Sequence, residues 1–287
     1  MINKVPKLSP LMEKLVCPHN INQAWRRFDR DQTIWEPGVR INSIQRDIPY
    51  HLMTLAQHLA QDEYKPARVR RFTLKKASGK ERNIAALCLR DKVAQRALLQ
   101  VLEPLAEKEM HSDSFGYRPG RNTEMAYARV RTYLSEGFVW LVHVDIHQFF
   151  DRIPLRRLKR WIKKRLKDPA LGQILNRFID CHATTPGRIW RKARGVPQGG
   201  ILSPLLGNWY LSQLDATLSK NKLRFVRYAD DIMLCCRTEP QAKQALNLLN
   251  KAVKKLGLAL NPEKTQVERA SHRVIWLGRP LPRQRNG

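Results

Sequence analysis

The chain reads as an α+β protein in which buried strands carry acidic residues at their ends. Three segments predict this. In Phe225-Val226-Arg227-Tyr228-Ala229-Asp230-Asp231-Ile232-Met233-Leu234, two adjacent carboxylates sit between short apolar runs. The runs read as strands and Tyr228-Ala229-Asp230-Asp231 as the tight connection of a β-hairpin. Val139-Trp140-Leu141-Val142-His143-Val144-Asp145-Ile146 is almost continuously apolar, as suits a strand covered on both faces, and it ends in Asp145. Gly195-Val196-Pro197-Gln198-Gly199-Gly200-Ile201-Leu202-Ser203-Pro204 is a glycine-rich loop feeding a helix. Ser203 suits the N-cap and Pro204 the first helical position. Leu205, Leu206, Trp209, Tyr210 and Leu214 then recur at helical spacing.

The acids carry the chemical signal. With 53 Lys+Arg against 25 Asp+Glu, the chain has a formal charge of +28, so paired acids on an apolar hairpin are out of keeping with solubilising charge. Adjacent carboxylates repel, and hard divalent cations with oxygen ligands relieve that repulsion. An acid closing a buried strand is costly unless paired, solvated or metal-bound. If Asp145 lies beside Asp230 and Asp231, three carboxylates converge, enough for two cations clamping a phosphoryl transfer. The alternative is that Asp145 caps the next segment and the acid pair sits in a solvated turn. The order Asp145 strand, Gln198 loop, Asp230-Asp231 hairpin favours the first reading.

In that order the chain resembles the reverse transcriptases, and among them the bacterial lineage of group II intron-encoded enzymes. The resemblance runs from about Tyr64 to Leu281. Gly79-Lys80-Glu81-Arg82 resembles the hairpin of the fingers, and Arg90 to Ala97 with Leu102-Glu103-Pro104 the helix after it. Ser114-Phe115-Gly116-Tyr117-Arg118-Pro119-Gly120-Arg121 is similar to a signature of the lineage. Val144-Asp145-Ile146 with Phe149-Phe150-Asp151 resembles the first metal motif, and Trp276-Leu277-Gly278 the turn that grips the primer end. Leu256-Gly257-Leu258, Asn261 and Lys264-Thr265 resemble the segment after the Asp230-Asp231 hairpin. Lys75 and Asn83 stand where the family usually has proline, and Asp29 to Ile41 lacks a clear glycine-rich segment.

The resemblance implies a right-hand polymerase fold with fingers and palm, an antiparallel palm sheet backed by helices, and a thumb short or absent. It implies RNA-directed DNA polymerase activity with two Mg²⁺ ions, for which Mn²⁺ substitutes. Asp145 and Asp230 would hold both ions, Asp231 would complete the cluster and the Ile146 carbonyl would add a ligand. Phe150 would be the gate against a ribose 2′-hydroxyl; its other reading is a core aromatic. Gln198 would position nucleotide and template base. Lys76 and Arg82 would hold the triphosphate, Arg by charge-assisted bidentate contact and Lys as a point charge. Lys264 would be an acid for the leaving pyrophosphate, and Leu277 and Gly278 the primer grip. For each of these three cations a solvated charge is the plainer alternative.

The expected organisation is a helical preface over residues 1–61, fingers over 62–137 and palm over 138–287. The preface reads as helices broken around Pro37-Gly38. A helix is expected over Asp151 to Lys167, with Leu155, Leu158, Trp161, Ile162 and Leu166 as its apolar stripe and a basic remainder that is either solvated or set against RNA. A short strand pair is expected near Arg188-Ile189-Trp190, and a helix from Lys243 to Leu256 ended by Gly257. Cys17, Cys88, Cys181, Cys235 and Cys236 show no Cys-x-x-Cys spacing, which fits reduced thiols in a cytoplasmic protein. No run has the length of a membrane span.

A charge of +28 calls for a polyanion partner, bound in a salt-dependent way. The expected partners are an RNA template, a DNA or RNA primer, dNTPs and a protein supplying the thumb or an adaptor. Intron, CRISPR, retron and phage-defence settings are all compatible with the chain. Two rivals stand beside templated synthesis: a template-independent or protein-primed DNA polymerase on the same fold, and an RNA-binding subunit without catalysis. The complete acidic set speaks against the second.

Overall fold

The computed structural model describes residues 8–68, 70–75, 81–183, 195–196 and 199–281. Along the chain run α1 (Pro10–Val16), α2 (Pro18–Trp25), α3 (Ile41–Ile44), a 3-10 turn (Gln45–Asp47), α4 (Ile48–Ala60), β1 (Arg70–Lys75), β2 (Glu81–Ala86), α5 (Leu89–Glu107), α6 (Thr123–Ser135), β3 (Trp140–Asp145), α7 (Phe149–Arg152), α8 (Leu155–Arg165), α9 (Pro169–Ala183) and α10 (Ser203–Lys220). They are followed by β4 (Arg224–Tyr228), β5 (Asp231–Cys236), α11 (Glu239–Lys255), a second 3-10 turn (Pro262–Lys264), β6 (Gln266–Arg269), β7 (Ile275–Trp276) and β8 (Arg279–Pro280). The fold is α+β, as expected. No helix of the described residues is long and apolar enough to cross a membrane.

Packing divides the chain into one unit of Met1–Leu105 with Leu155–Ser203 and another of Ala106–Pro154 with Pro204–Gly287. In the first, β1 and β2 form an antiparallel hairpin from Arg70↔Ala86 to Lys75↔Glu81. The preface is not a separate extension: α1 packs on α2, α4 and α9. The Ser9 side chain caps α1 through the Met12 amide and bonds the Asp168 carboxylate, which in turn accepts from the Leu171 amide at the head of α9. That polar seam ties residues 155–203 to the N-terminal helices, so the packing boundaries differ from those expected at 61/62 and 137/138. The helix expected over Asp151 to Lys167 is two helices, because Pro154 lacks an N–H and disfavours helix in the residue before it. On α8, Leu155, Leu158 and Ile162 are buried while the basic residues lie outward or, as with Lys159 on Asp180, in an ion pair.

The second unit holds the antiparallel sheet β4-β5-β3-β6. Successive side chains of a strand point to opposite faces. Leu141, Met233, Cys235 and Val226 therefore join one core with Ala126, Val130 and Tyr133 of α6 and with Trp276. Val142, Val144, Ile232 and Leu234 fill the other face, where α11 runs along β3, β5 and β6. Helix α11 starts at Glu239, earlier than expected, because Thr238 caps it through the Gln241 amide and Pro240 suits its first turn. It stops before Gly257, whose φ of 75° only glycine adopts freely.

Beneath the hairpin lies a fully buried ion pair. The Arg227 guanidinium donates Nε to Asp215 Oδ1 at 2.7 Å and Nη2 to Oδ2 at 2.5 Å, a bidentate fork from β4 to α10. Its Nη1 donates to Asn208 Oδ1 at 2.8 Å and to the Ala229 carbonyl at 3.0 Å. Removing one partner of such a pair strands a buried charge and costs about 3–5 kcal/mol. Asp215→Ala is expected to lose stability of that order in chemical denaturation, whereas an exposed control such as Asn247→Ala on α11 changes it little.

Candidate active site

The site is built on the connection of β4 to β5. Tyr228 pairs with Asp231, which leaves Ala229 and Asp230 as a two-residue turn, with Ala229 at φ 58°. A non-glycine residue there costs roughly 1–2 kcal/mol, so the surroundings must hold it. Arg227 does so through the Ala229 carbonyl. The segment Asp113–Gly116 does so from the side: Phe115 N donates to Arg227 O and Arg227 N to Asp113 O, both at 2.8 Å. The Gly116 carbonyl accepts from Asn208 Nδ2 at 2.5 Å. A Cβ on Gly116 would lie 2.3 Å from the Ala229 amide nitrogen, so only glycine lets this loop press against the turn. The Ser-Phe-Gly-Tyr signature is thus a backbone brace for the acidic hairpin.

Three carboxylates meet at this end of the sheet. The register sets Asp145 directly opposite Asp231, and the Ile146 amide donates to the Asp230 carbonyl at 3.2 Å. Like charges directly opposed across an antiparallel pair are destabilising. Each acid is compensated separately. Lys264 Nζ donates to Asp145 Oδ2 at 2.7 Å. Trp276 Nε1 donates to Asp231 Oδ1 at 2.6 Å, and His143 Nε2 stands 3.0 Å from the same oxygen. Asp230 has no such side-chain partner among the described residues: burial, with Asp145 and Asp231 nearby, pushes its pKa up to about 6. The Lys264 ammonium is held above its ordinary pKa, chiefly by its hydrogen bond to Asp145.

Phe150 follows on α7, half-buried, with its ring 5.2 Å from Phe149 and 6.3 Å from Tyr117. Gly207 of α10 makes room for both rings; a Cβ there would fall 2.9 Å from Phe149 Cε1 and 3.2 Å from Phe150 Cε1. Leu277 and Gly278, at φ 49° and 79°, form the two-residue turn between β7 and β8. That turn follows directly on Trp276, the donor to Asp231. Asp145, Ile146, Asp230, Asp231 and Lys264 are thus brought together, with Phe150 and the Leu277-Gly278 turn on neighbouring elements. Arg82 lies on β2 opposite Leu74. Lys76, Gln198 and the strand pair expected near Ile189 lie outside the described residues.

Several contributors were not singled out from sequence. His143 had a readable signal, a polar residue in an apolar strand two positions before Asp145. Asp215, Asn208 and Gly207 had none, because their partners lie elsewhere in the sequence, while Gly116 stood in the lineage signature without its bracing contact being readable.

Among the described residues, no three His, Cys, Asp or Glu side chains stand in a ready metal-binding arrangement. Lys264 and the Trp276–His143 pair hold Asp145 and Asp231 instead. The donor set nevertheless fits hard divalent cations: its carboxylates are near enough to raise Asp230, and a lysine now supplies the positive charge they require.

Residues 74–281 match the family model described as "Reverse transcriptase (RNA-dependent DNA polymerase)". Protein YkfC of Escherichia coli K12 is 28% identical over 87% of this chain and 76% of its own length. The group II intron-encoded protein LtrA of Lactococcus lactis is 30% identical over 74% of this chain, which spans only 35% of LtrA. An apo telomerase structure from Candida tropicalis superposes with a TM-score of 0.57 at 15% identity, over 73% of this chain and 52% of that one, a likeness of fold.

Two measurements check the geometry. Gly116→Ala is expected to displace the Ala229-Asp230 turn and to lower the catalytic rate about a hundredfold, the usual size for a misplacement near 1 Å. For Asp230, the folded pKa near 6 lies above the ordinary carboxylate value, so ionisation opposes folding. That cost is absent below pH 4 and complete above pH 6. Asp230→Asn is therefore expected to raise stability in EDTA by about 1–3 kcal/mol at pH 8, with a smaller gain at pH 5.

Proposed function

Because the chain belongs to the reverse transcriptase (RNA-dependent DNA polymerase) family, a family of nucleotidyltransferases, we propose that it extends a primer along an RNA template with dNTPs at the Asp145–Asp230–Asp231 cluster. The observation that carries this is the opposition of Asp145 to Asp231 beside a carboxyl whose pKa is raised to about 6. Acids gathered this way at a buried sheet end are costly unless paired or metal-bound, which supports a cation-binding role. In the reaction the primer 3′-oxygen attacks the α-phosphorus of the dNTP. One P–O bond forms, the bond to the β-phosphate bridging oxygen breaks, and pyrophosphate leaves.

Asp145, Asp230, Asp231 and the Ile146 carbonyl would hold two Mg²⁺ ions. Bound there, the ions supply hydroxyl activation and neutralisation of the leaving group. The chain's own residues do the rest. Asp230, once ionised, joins the other two as an all-oxygen donor set. Lys264, released from Asp145, carries a proton to the departing pyrophosphate. Phe150, wedged between Phe149 and Tyr117, bars a ribose 2′-hydroxyl. Gln198 aligns nucleotide and template base, and Lys76 and Arg82 hold the triphosphate. Leu277 and Gly278 seat the primer end, linked to the acids through the bond from Trp276 to Asp231. A protein partner completes the grip on the duplex, and the work is done in the cytoplasm.

Primer extension tests the reading. With Mg²⁺ and dNTPs, the chain is expected to extend a DNA primer annealed to RNA and to leave the unannealed primer unextended. Asp145→Asn is expected to abolish extension, and Phe150→Ala to admit ribonucleotides at least tenfold better than wild type. Extension without template would replace this reading with template-independent synthesis. Salt-sensitive RNA binding without extension would replace it with a binding role.

A further inference from the structure

The end of the palm sheet remote from the acids carries a second recess, with a different construction. Cys236 pairs with Trp140, whereas Asp231 pairs with Asp145. At about 3.3 Å per residue, roughly 17 Å of strand separates the two ends. There a groove of about 450 Å³ is lined by Phe138, Lys222, Arg224, Arg237, Gln241 and Gln244 over the buried Cys235 and Cys236. No lining residue is acidic. Lys222, Arg224 and Arg237 are exposed, and none forms an ion pair with a carboxylate among the described residues.

The two guanidiniums are placed by aromatic rings. Arg237 lies 4.4 Å from the Phe138 ring centroid, and Arg224 lies 5.9 Å from Phe138 and 5.8 Å from Tyr133. Stacking fixes the planar forks before a ligand arrives, which lowers the entropy lost on binding. Lys222, at φ 56°, holds its place in the tight turn before β4.

We propose that this groove binds the phosphodiester backbone of single-stranded RNA at a site separate from the catalytic end. Three cations with no carboxylate partner among the described residues can engage phosphate oxygens. The Gln244 amide can donate and accept at sugar and base edges, while Gln241 Oε1 already accepts from the Arg237 amide at 3.2 Å. A recess of this size encloses a short single-strand segment rather than the full width of a duplex. The charge of +28 supplies long-range attraction for such a partner. The inference does not depend on polymerase activity.

The test is binding of a fluorescent single-stranded RNA 20-mer to the full chain over a salt series. Removing two single-strand phosphate contacts flattens the log–log salt dependence by about 1.4. Arg224→Gln/Arg237→Gln is therefore expected to flatten it by that much and to raise Kd roughly tenfold near physiological salt. Lys251→Gln/Lys254→Gln on the exposed side of α11 removes the same charge outside the groove and is expected to leave both nearly unchanged. Should the double variant not fold, Lys222→Asn keeps a left-handed turn and is expected to flatten the slope by about 0.7. Equal weakening in the α11 control, or wild-type RNA affinity in the groove variants, overturns the proposal. So does a groove variant that loses turnover on a short primer–template, since the recess would then belong to the catalytic channel. Weakened binding of polyglutamate with unchanged RNA binding would assign the groove to an acidic protein instead.

Discussion

Carboxylates gathered at one end of a buried sheet repel one another, and most of the second unit is arranged around that repulsion. Asp145 and Asp231 face each other across the β3–β5 pair, and Asp230 sits beside them in the turn. The fold answers with one cation on Asp145 and two ring N–H groups on Asp231. Among the described residues Asp230 receives no such partner, and burial pushes its pKa up to about 6. A site so composed keeps a preference for positive charge.

Keeping the acids in register requires a rigid turn. The backbone there is left-handed at an alanine, a conformation that relaxes unless braced. Arg227 braces it from below, anchored on Asp215, and Gly116 from the side at a distance that excludes any side chain. Asn208 bonds both the Arg227 guanidinium and the Gly116 carbonyl, so one helix, α10, fixes both braces. Gly207, one residue earlier on α10, makes the seat for Phe149 and Phe150. The helix after the glycine-rich loop is therefore a common frame for the acidic turn and the aromatic pair.

What could be read from sequence was local. Apolar runs ending in acids identified β3, β4, β5 and the three carboxylates, since burial and repulsion act on a few adjacent residues. Lys264 came from family resemblance, and its ion pair with Asp145 arises only when the chain after α11 returns beside β3. The signature holding Gly116 was visible, but its bracing contact was not, because Gly116 lies more than a hundred residues from the backbone it touches. Asp215 looks like any polar residue on a mostly apolar helix. The packing of residues 155–203 with the N-terminal helices hung on Ser9 and Asp168, a pairing that no periodicity announces.

Asp145, paired with Lys264, lies opposite Asp231 and beside Asp230, and a cation bound by these three carboxylates would compete with that lysine. Anomalous diffraction from crystals soaked in Mn²⁺ tests it directly. Manganese density held by Asp145, Asp230 and Asp231, with the Lys264 ammonium moved off Asp145, is the expected result. Manganese elsewhere on the chain, with the Lys264–Asp145 bond intact, would contradict it.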